Sequence, residues 1–249
     1  MLKEERQALI LRELQLHNKV LHGDLSQLMG VSEDTVRRDL QELAEKGSIV
    51  KVRGGAISRS FHVYTYQESS IYKFAEKKNI ALKTLSLLSD GMLVLISGGT
   101  TCLELARNLP DDLKITFYTN SLSTAMQLAD HPLSDTILIG GKVSRNAKIS
   151  TGGEVVSSLR GIRPDLCIMG TNCIDSRMGL TDSDWEVVDV KKEMIHVSQK
   201  VAVVTITEKL ETTQNIQVAP IHNIDYLITE LPPESDNLIT YKNSGVKVI

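Results

Sequence analysis

From Met92 onward, short apolar runs alternate with stretches of helical periodicity, and no other feature constrains the fold of this chain as strongly. Residues 92–96, 115–118, 136–139, 166–169, 201–206 and 226–228 read as strands. Helical patterns fill 102–108, 121–129 and 185–197, and a helix rich in Lys and Ala covers roughly 72–88. Near-continuous apolar strands separated by helices require a mainly parallel sheet with helices on both faces, so the main domain is expected to be α/β.

The N-terminal part obeys a different pattern. Residues 3–16 form an amphipathic helix with Leu9, Ile10 and Leu14 in register. After a turn at His17 and Asn18 comes the short apolar piece Val20-Leu21. Residues 24–29 then make a short helix closed by Gly30. Ser32 is a good N-cap for a third helix running to about Lys46 and ended by Gly47. Residues 49–52 read as a strand before a turn at Gly54 and Gly55. Helix, short helix, turn, helix and wing is the order of a winged helix-turn-helix. The expected domains are 1–57 for DNA binding, a linker at 58–70 that holds three aromatics, and 71–249 for the α/β part. At 249 residues each domain has enough chain for its own core.

Net charge is −3, which argues against indiscriminate nucleic-acid binding, but the charge is unevenly placed. Residues 1–60 carry ten Lys/Arg against nine Asp/Glu, so the negative excess lies in the remainder. In the third helix Val36, Leu40 and Leu43 face the core. Asp34, Arg38 and Gln41 then point away, with Thr35 and Arg37 on the flanks and Ser32 at the start. A helix-turn-helix inserts the N-terminal part of this helix into the major groove, where Arg bonds guanine or phosphate. Lys51 and Arg53 on the wing, with Arg59 just beyond, extend the basic patch to phosphate or minor groove. A solvated, charged helix face would show the same spacing.

Other classes find little support. Hydrophobic residues make up 41%, yet no apolar run approaches the ~20 residues that span a bilayer. The N-terminal stretch MLKEERQALILREL is charged, with neither an h-region nor a cleavage site. Cys102, Cys167 and Cys173 lack CxxC spacing and suit a reducing cytoplasm. The histidines form no HExxH or Cys/His cluster, so neither a metal nor a cofactor is expected.

In the second domain, Ser97-Gly98-Gly99-Thr100-Thr101 lies between a strand and a helix. Backbone N–H groups at a helix start, flanked by glycines, form an anion site. The segment is neither a Walker A loop nor GxGxxG, and Thr101 with Glu104 also fits a capping box that needs no ligand. Asn120 and Ser121 stand where another strand passes into a helix, the edge at which open α/β sheets bind ligands. Gly140-Gly141 and Thr151-Gly152-Gly153 read as tight turns or as close approaches to a ligand.

The segment VSEDTVRRDLQELAEKGSIVKVRGGA resembles the recognition helix and wing of the DeoR family of bacterial repressors. The resemblance continues through the GTT loop, the Thr119-Asn120 turn, the Gly140-Gly141 turn, residues 169–184 and Lys209, and so covers the whole chain. It implies a Rossmann-like effector domain similar to ribose-5-phosphate isomerase, glucosamine-6-phosphate deaminase and the CoA transferases. A sugar phosphate would sit at Gly99, Thr100 and Thr101 with Lys209 near, and Gly170, Asp175, Gly179, Thr181 and Lys191 would belong to the same site.

The chain departs from the family at Arg53 for His, Ser97 for Asp, Val187 and Val188 for Glu-Ala, and Glu208 before the lysine. Glu208 would oppose a bound phosphate unless it turned to solvent or paired with Lys209. The implied function is a cytoplasmic repressor of a carbohydrate operon, with operator DNA, a sugar phosphate and further copies of itself as partners. Two alternatives stay open: an isomerase-like enzyme carrying a DNA-binding domain, and a regulator with a degenerate pocket under the control of a protein. An enzyme needs a positioned acid or base, for which Asp175, Asp182 and Asp184 are available, but no nucleophile motif appears and no catalytic residue is assigned.

Overall fold

The computed structural model describes residues 1–17, 19–58, 71–144 and 147–249. These fall into two compact units, Met1–Tyr72 and Lys73–Ile249.

The first unit runs α1 (Lys3–His17), β1 (Lys19–Leu21), α2 (His22–Met29), α3 (Glu33–Glu45), β2 (Ile49–Val52) and β3 (Gly55–Ser58). Its strands form an antiparallel sheet in the order β1-β3-β2. Ile10, Leu14, Leu25, Val36, Leu40 and Leu43 close the core, as the helical spacing requires. The Ser32 side chain accepts from the Thr35 N–H and starts α3. Ser58 is the last residue of β3, so the wing reaches into the stretch expected to be linker. The rest of that stretch, 59–70 with Arg59, lies outside the described residues, as does Asn18.

A partly buried ion pair joins the helices. Arg6 Nε donates to Asp39 Oδ2 at 2.6 Å and Nη2 to Oδ1 at 3.1 Å, a fork that ties α1 to α3. Asp39 thus fixes the tilt of the helix whose other face is charged.

The second unit contains α4 (Phe74–Thr84), β4 (Leu93–Ile96), α5 (Thr100–Arg107), β5 (Thr116–Thr119), α6 (Leu122–Ala129) and β6 (Asp135–Leu138). It continues with β7 (Lys142–Val143), β8 (Ser150–Thr151), α7 (Gly153–Leu159), β9 (Leu166–Gly170), β10 (Cys173–Asp175) and β11 (Gly179–Asp182). Last come α8 (Trp185–Val197), β12 (Val201–Val204), β13 (Ile216–Ala219), β14 (Tyr226–Ile228), α9 (Ile239–Asn243) and β15 (Lys247–Val248). The main sheet has seven strands, all parallel, in the order β15-β14-β12-β9-β4-β5-β6. This is the Rossmann-like α/β arrangement. From β4 the chain builds outward to β5 and β6, then crosses back to β9 and builds the other way. The order therefore reverses between β4 and β9, and that reversal opens a crevice at their carboxyl ends.

Beside it lies a small antiparallel sheet, β10-β11-β13, that strand–helix alternation did not predict. No helix among the described residues is long and apolar enough to cross a membrane.

Candidate functional site

On the first unit, Asp34, Arg37, Arg38, Gln41, Lys51 and Arg53 are exposed, as is Ser32 at the helix start, while Thr35 is half-buried. The two arginines differ. Arg37 is held by its own helix, to Glu33 at 3.2 Å and Asp34 at 3.0 Å. Arg38 and Arg53 have no ion pair among the described residues and present free guanidinium groups. Gln41 donates to Glu45 and accepts from Lys51, which joins the wing to α3.

On the second unit, the residues at the carboxyl edge converge on the reversal point. Gly99, at φ +119°, turns the chain out of β4 into α5 in a conformation that L side chains rarely adopt. The predicted capping box does not form. The N-cap is Gly99, which has no side chain to cap α5, and Glu104 instead bonds Arg107 at 2.8 Å. The first turn of α5, with Thr100 and Thr101, thus keeps the positive end of its dipole facing the crevice.

Ser97 accepts from the Gly170 N–H at 3.4 Å and so bridges the β4 and β9 loops across the reversal. Gly98 packs against Ile149 and Ser121. Asn120 donates to Ser150 O at 3.1 Å, while its Oδ1 is buried with no hydrogen-bond partner among the described residues. An unpartnered buried acceptor at such an edge suits a ligand donor such as a hydroxyl. Gly140, Gly141 and Gly152 flank the β7–β8 hairpin, whose Lys142 and Thr151 both bond Glu186 at the start of α8.

Three lysines face this edge. Lys209 Nζ donates to Thr171 O at 2.9 Å. Burial pushes its pKa down to about 7, helped by the charges of Lys77 and Lys191. Lys77, on α4, is 6% exposed, and burial lowers it to about 8 against the pull of Glu76, Glu104 and Glu208. Lys191 pairs with Asp182 at 3.0 Å. The sequence offered no sign of Lys77, because one lysine of a Lys/Ala-rich helix looks like any other. Glu208 neither turns fully to solvent nor takes Lys209 as its ion-pair partner: its Oε1 lies 3.7 Å from Lys73 Nζ.

Asp175, Gly179 and Thr181 serve the small sheet. Asp175 Oδ1 accepts the N–H groups of Arg177 and Met178, both at 2.8 Å, and shapes the β10–β11 turn. Thr181 Oγ1 accepts from the Gln214 N–H at 2.8 Å. Gly179 has φ +78°, and a Cβ there would lie 2.1 Å from Ala219 O. Gly179→Ala is therefore expected to destabilise the second unit by at least about 1–3 kcal/mol from the backbone conformation alone. A thermal melt that matches wild type would refute this steric account.

For Asp182, burial pushes the carboxyl up, but Lys191, the Ser183 N–H and Asn172 outweigh it and hold it below the usual carboxylate range. A carboxyl held ionised in this way is a poor proton donor.

Comparison with known proteins follows the same division. Residues 6–61 match the family described as DeoR-like helix-turn-helix domain, and residues 73–231 match DeoR C terminal sensor domain. The chain is 32% identical over 251 residues to HTH-type transcriptional repressor GlcR of Bacillus subtilis, covering 100% of this chain and 96% of that one. It is 31% identical over 227 residues to HTH-type transcriptional regulator GlpR of Haloferax volcanii, covering 90% and 89%. Among solved structures it is similar to eIF2B beta from Chaetomium thermophilum, with TM-score 0.48, 13% identity and coverage of 68% and 53%. Ribose 5-phosphate isomerase A from Methanocaldococcus jannaschii gives TM-score 0.40, 15% identity and coverage of 54% and 53%. With both halves matched in order and relatives aligned nearly end to end, the chain belongs to the DeoR family of helix-turn-helix transcriptional regulators.

Proposed function

We propose that this protein represses a sugar-catabolic operon and leaves its operator when a phosphorylated sugar enters the crevice of the second unit. The carrying observation is the reversal of strand order between β4 and β9, with the uncapped start of α5 and Lys77, Lys191 and Lys209 at one edge. In this reading the phosphate lies on the N–H groups and hydroxyls of Thr100 and Thr101. Lys209 and Lys77 neutralise its charge, and Asn120 and Gly170 line the sugar side. Arg38, Arg53, Lys51 and Thr35 read operator DNA. The names of the relatives agree in kind: GlcR is a repressor, and another is a putative aga operon transcriptional repressor from Escherichia coli O157:H7. Two recognition helices on two half-sites call for at least a homodimer, working in the cytoplasm where the chromosome lies.

Binding without chemistry is the corresponding expectation, since Asp182 is fixed as an ion pair with Lys191. A thermal-shift screen of hexose and pentose phosphates should raise the melting temperature with at least one of them, and the unphosphorylated sugar should have little effect. The same samples should show no isomerised or deaminated product. A sugar that stabilises equally with and without phosphate would overturn the anion site. Turnover that disappears in Asp182→Asn would overturn the non-enzymatic reading.

A further inference from the structure

The two ends of the seven-stranded sheet are treated differently. At one end β15 has two residues and carries Lys247, a short and charged edge of the kind that discourages pairing. At the other end β6 has four, and its one charge, Asp135, stands at its first residue, leaving Thr136, Ile137 and Leu138 uncharged. Ile137 and Leu138 point to opposite faces of the sheet, and both are exposed. A strand inside a parallel α/β sheet is normally covered on both faces.

Among the described residues the outer backbone of β6 has no partner strand either. Asp135 and Ile139 donate to Ile115 O and Thr119 O on the β5 side. By alternation, the N–H and C=O groups of Thr136 and Leu138 face outward.

We propose that β6 pairs antiparallel with β6 of a second copy about a two-fold axis through Ile137, joining two sheets into one. This rests on the reading of the protein as a regulator that binds DNA as at least a dimer, and it names the surface. The register is self-complementary. Thr136 of one copy exchanges both backbone hydrogen bonds with Leu138 of the other, and the reverse holds across the axis. Ile137 then meets its own copy as a non-hydrogen-bonded pair. The axis also brings the two α6 helices side by side, because each covers the same face next to β6, and Met126 is exposed on α6.

Met126, Leu133, Ile137, Leu138 and Val143 are each 40–67% exposed. Ile137 and Leu138 on β6, Leu133 just before it and Met126 on α6 thus leave apolar side chains exposed at this end of the sheet, the kind of surface that the core of a standard interface of ~800 Å² per partner covers.

Sedimentation of the full chain combined with two cysteine variants tests the pairing. The native cysteines are buried, so introduced thiols report alone. Across a non-hydrogen-bonded pair the Cα atoms lie about 4.5 Å apart, within the range a disulfide spans. Ile137→Cys is expected to give a covalent dimer in near-complete yield under mild oxidation. The two copies of position 138 are diagonal neighbours about 7–8 Å apart, so Leu138→Cys should cross-link poorly. A monomeric wild type would overturn both the pairing and the two-copy reading. A dimeric wild type with no link in Ile137→Cys would overturn the β6 edge alone. Equal linking in both variants would overturn the register. A monomer whose introduced thiol resists alkylation would show that the chain covers its own edge, and would overturn the pairing.

Discussion

Arg38→Ala is expected to weaken operator binding by about 1–3 kcal/mol, about five- to more than a hundredfold, and to relax sequence preference at one base pair. Arg38 stands on the outward face of α3 with no ion pair among the described residues, so nothing has to be released before it reaches a base edge. Arg37 differs, because contact with DNA must replace its bonds to Glu33 and Asp34. Such exposed pairs are each worth at most about 1 kcal/mol, so the exchange is affordable but reduces the net gain. Arg37→Ala should therefore weaken all sequences evenly and lower the salt slope by about one. Fluorescence anisotropy against operator and scrambled DNA at several salt concentrations separates the two behaviours. A folded double variant that binds operator with wild-type affinity would remove α3 from the interface.

The main sheet and the helix-turn-helix were legible because their signals are local. Val36, Leu40 and Leu43 repeat at the helical period, Ser32 caps where it should, and the central strands β4, β9 and β12 are near-continuous apolar runs. The small sheet was not legible, since β11 and β13 are short, of mixed polarity and paired across a long sequence separation. Asp39 was missed for a related reason. A carboxylate on a polar helix reads as exposed until Arg6, 33 positions earlier, is brought against it.

The crevice was legible in part. Loop residues at strand ends can be found from strand–helix alternation, which is how Gly99, Thr100 and Asn120 entered the proposed site. Asp175 and Gly179 entered by resemblance, yet their atoms shape a turn and a close backbone contact. Lys77 became visible only once α4 was packed on α5 and its ammonium was buried.

Burial of that lysine group leads to the second large effect, a dependence of effector affinity on pH. Lys209 has a pKa of about 7 in the ligand-free protein and Lys77 about 8, both lowered chiefly by burial. An unfolded lysine titrates near 10.4. Between these values the unfolded chain holds more protons than the folded one, so stability of the ligand-free protein should rise with pH through that window. The penalty is full below about 7, where the buried ammonium is charged, and gone above the unfolded value. A bound phosphate reverses the preference, because an anion against Lys209 favours the charged form and raises its pKa. Binding should then take up a proton, and affinity should fall by up to about tenfold per pH unit above 7. A phosphate monoester is already a dianion across that range, with its second pKa near 6, so the ligand adds no titration of its own. Calorimetry from pH 7 to 9 in buffers of different ionisation enthalpy measures the uptake directly. Lys209→Met should remove most of the affinity together with most of its pH dependence, while raising the melting temperature of the ligand-free protein at pH 6. Effector affinity that stays constant from pH 7 to 9 in the wild type would mean that these lysines do not hold the anion, and the site would have to be sought elsewhere along the sheet edge.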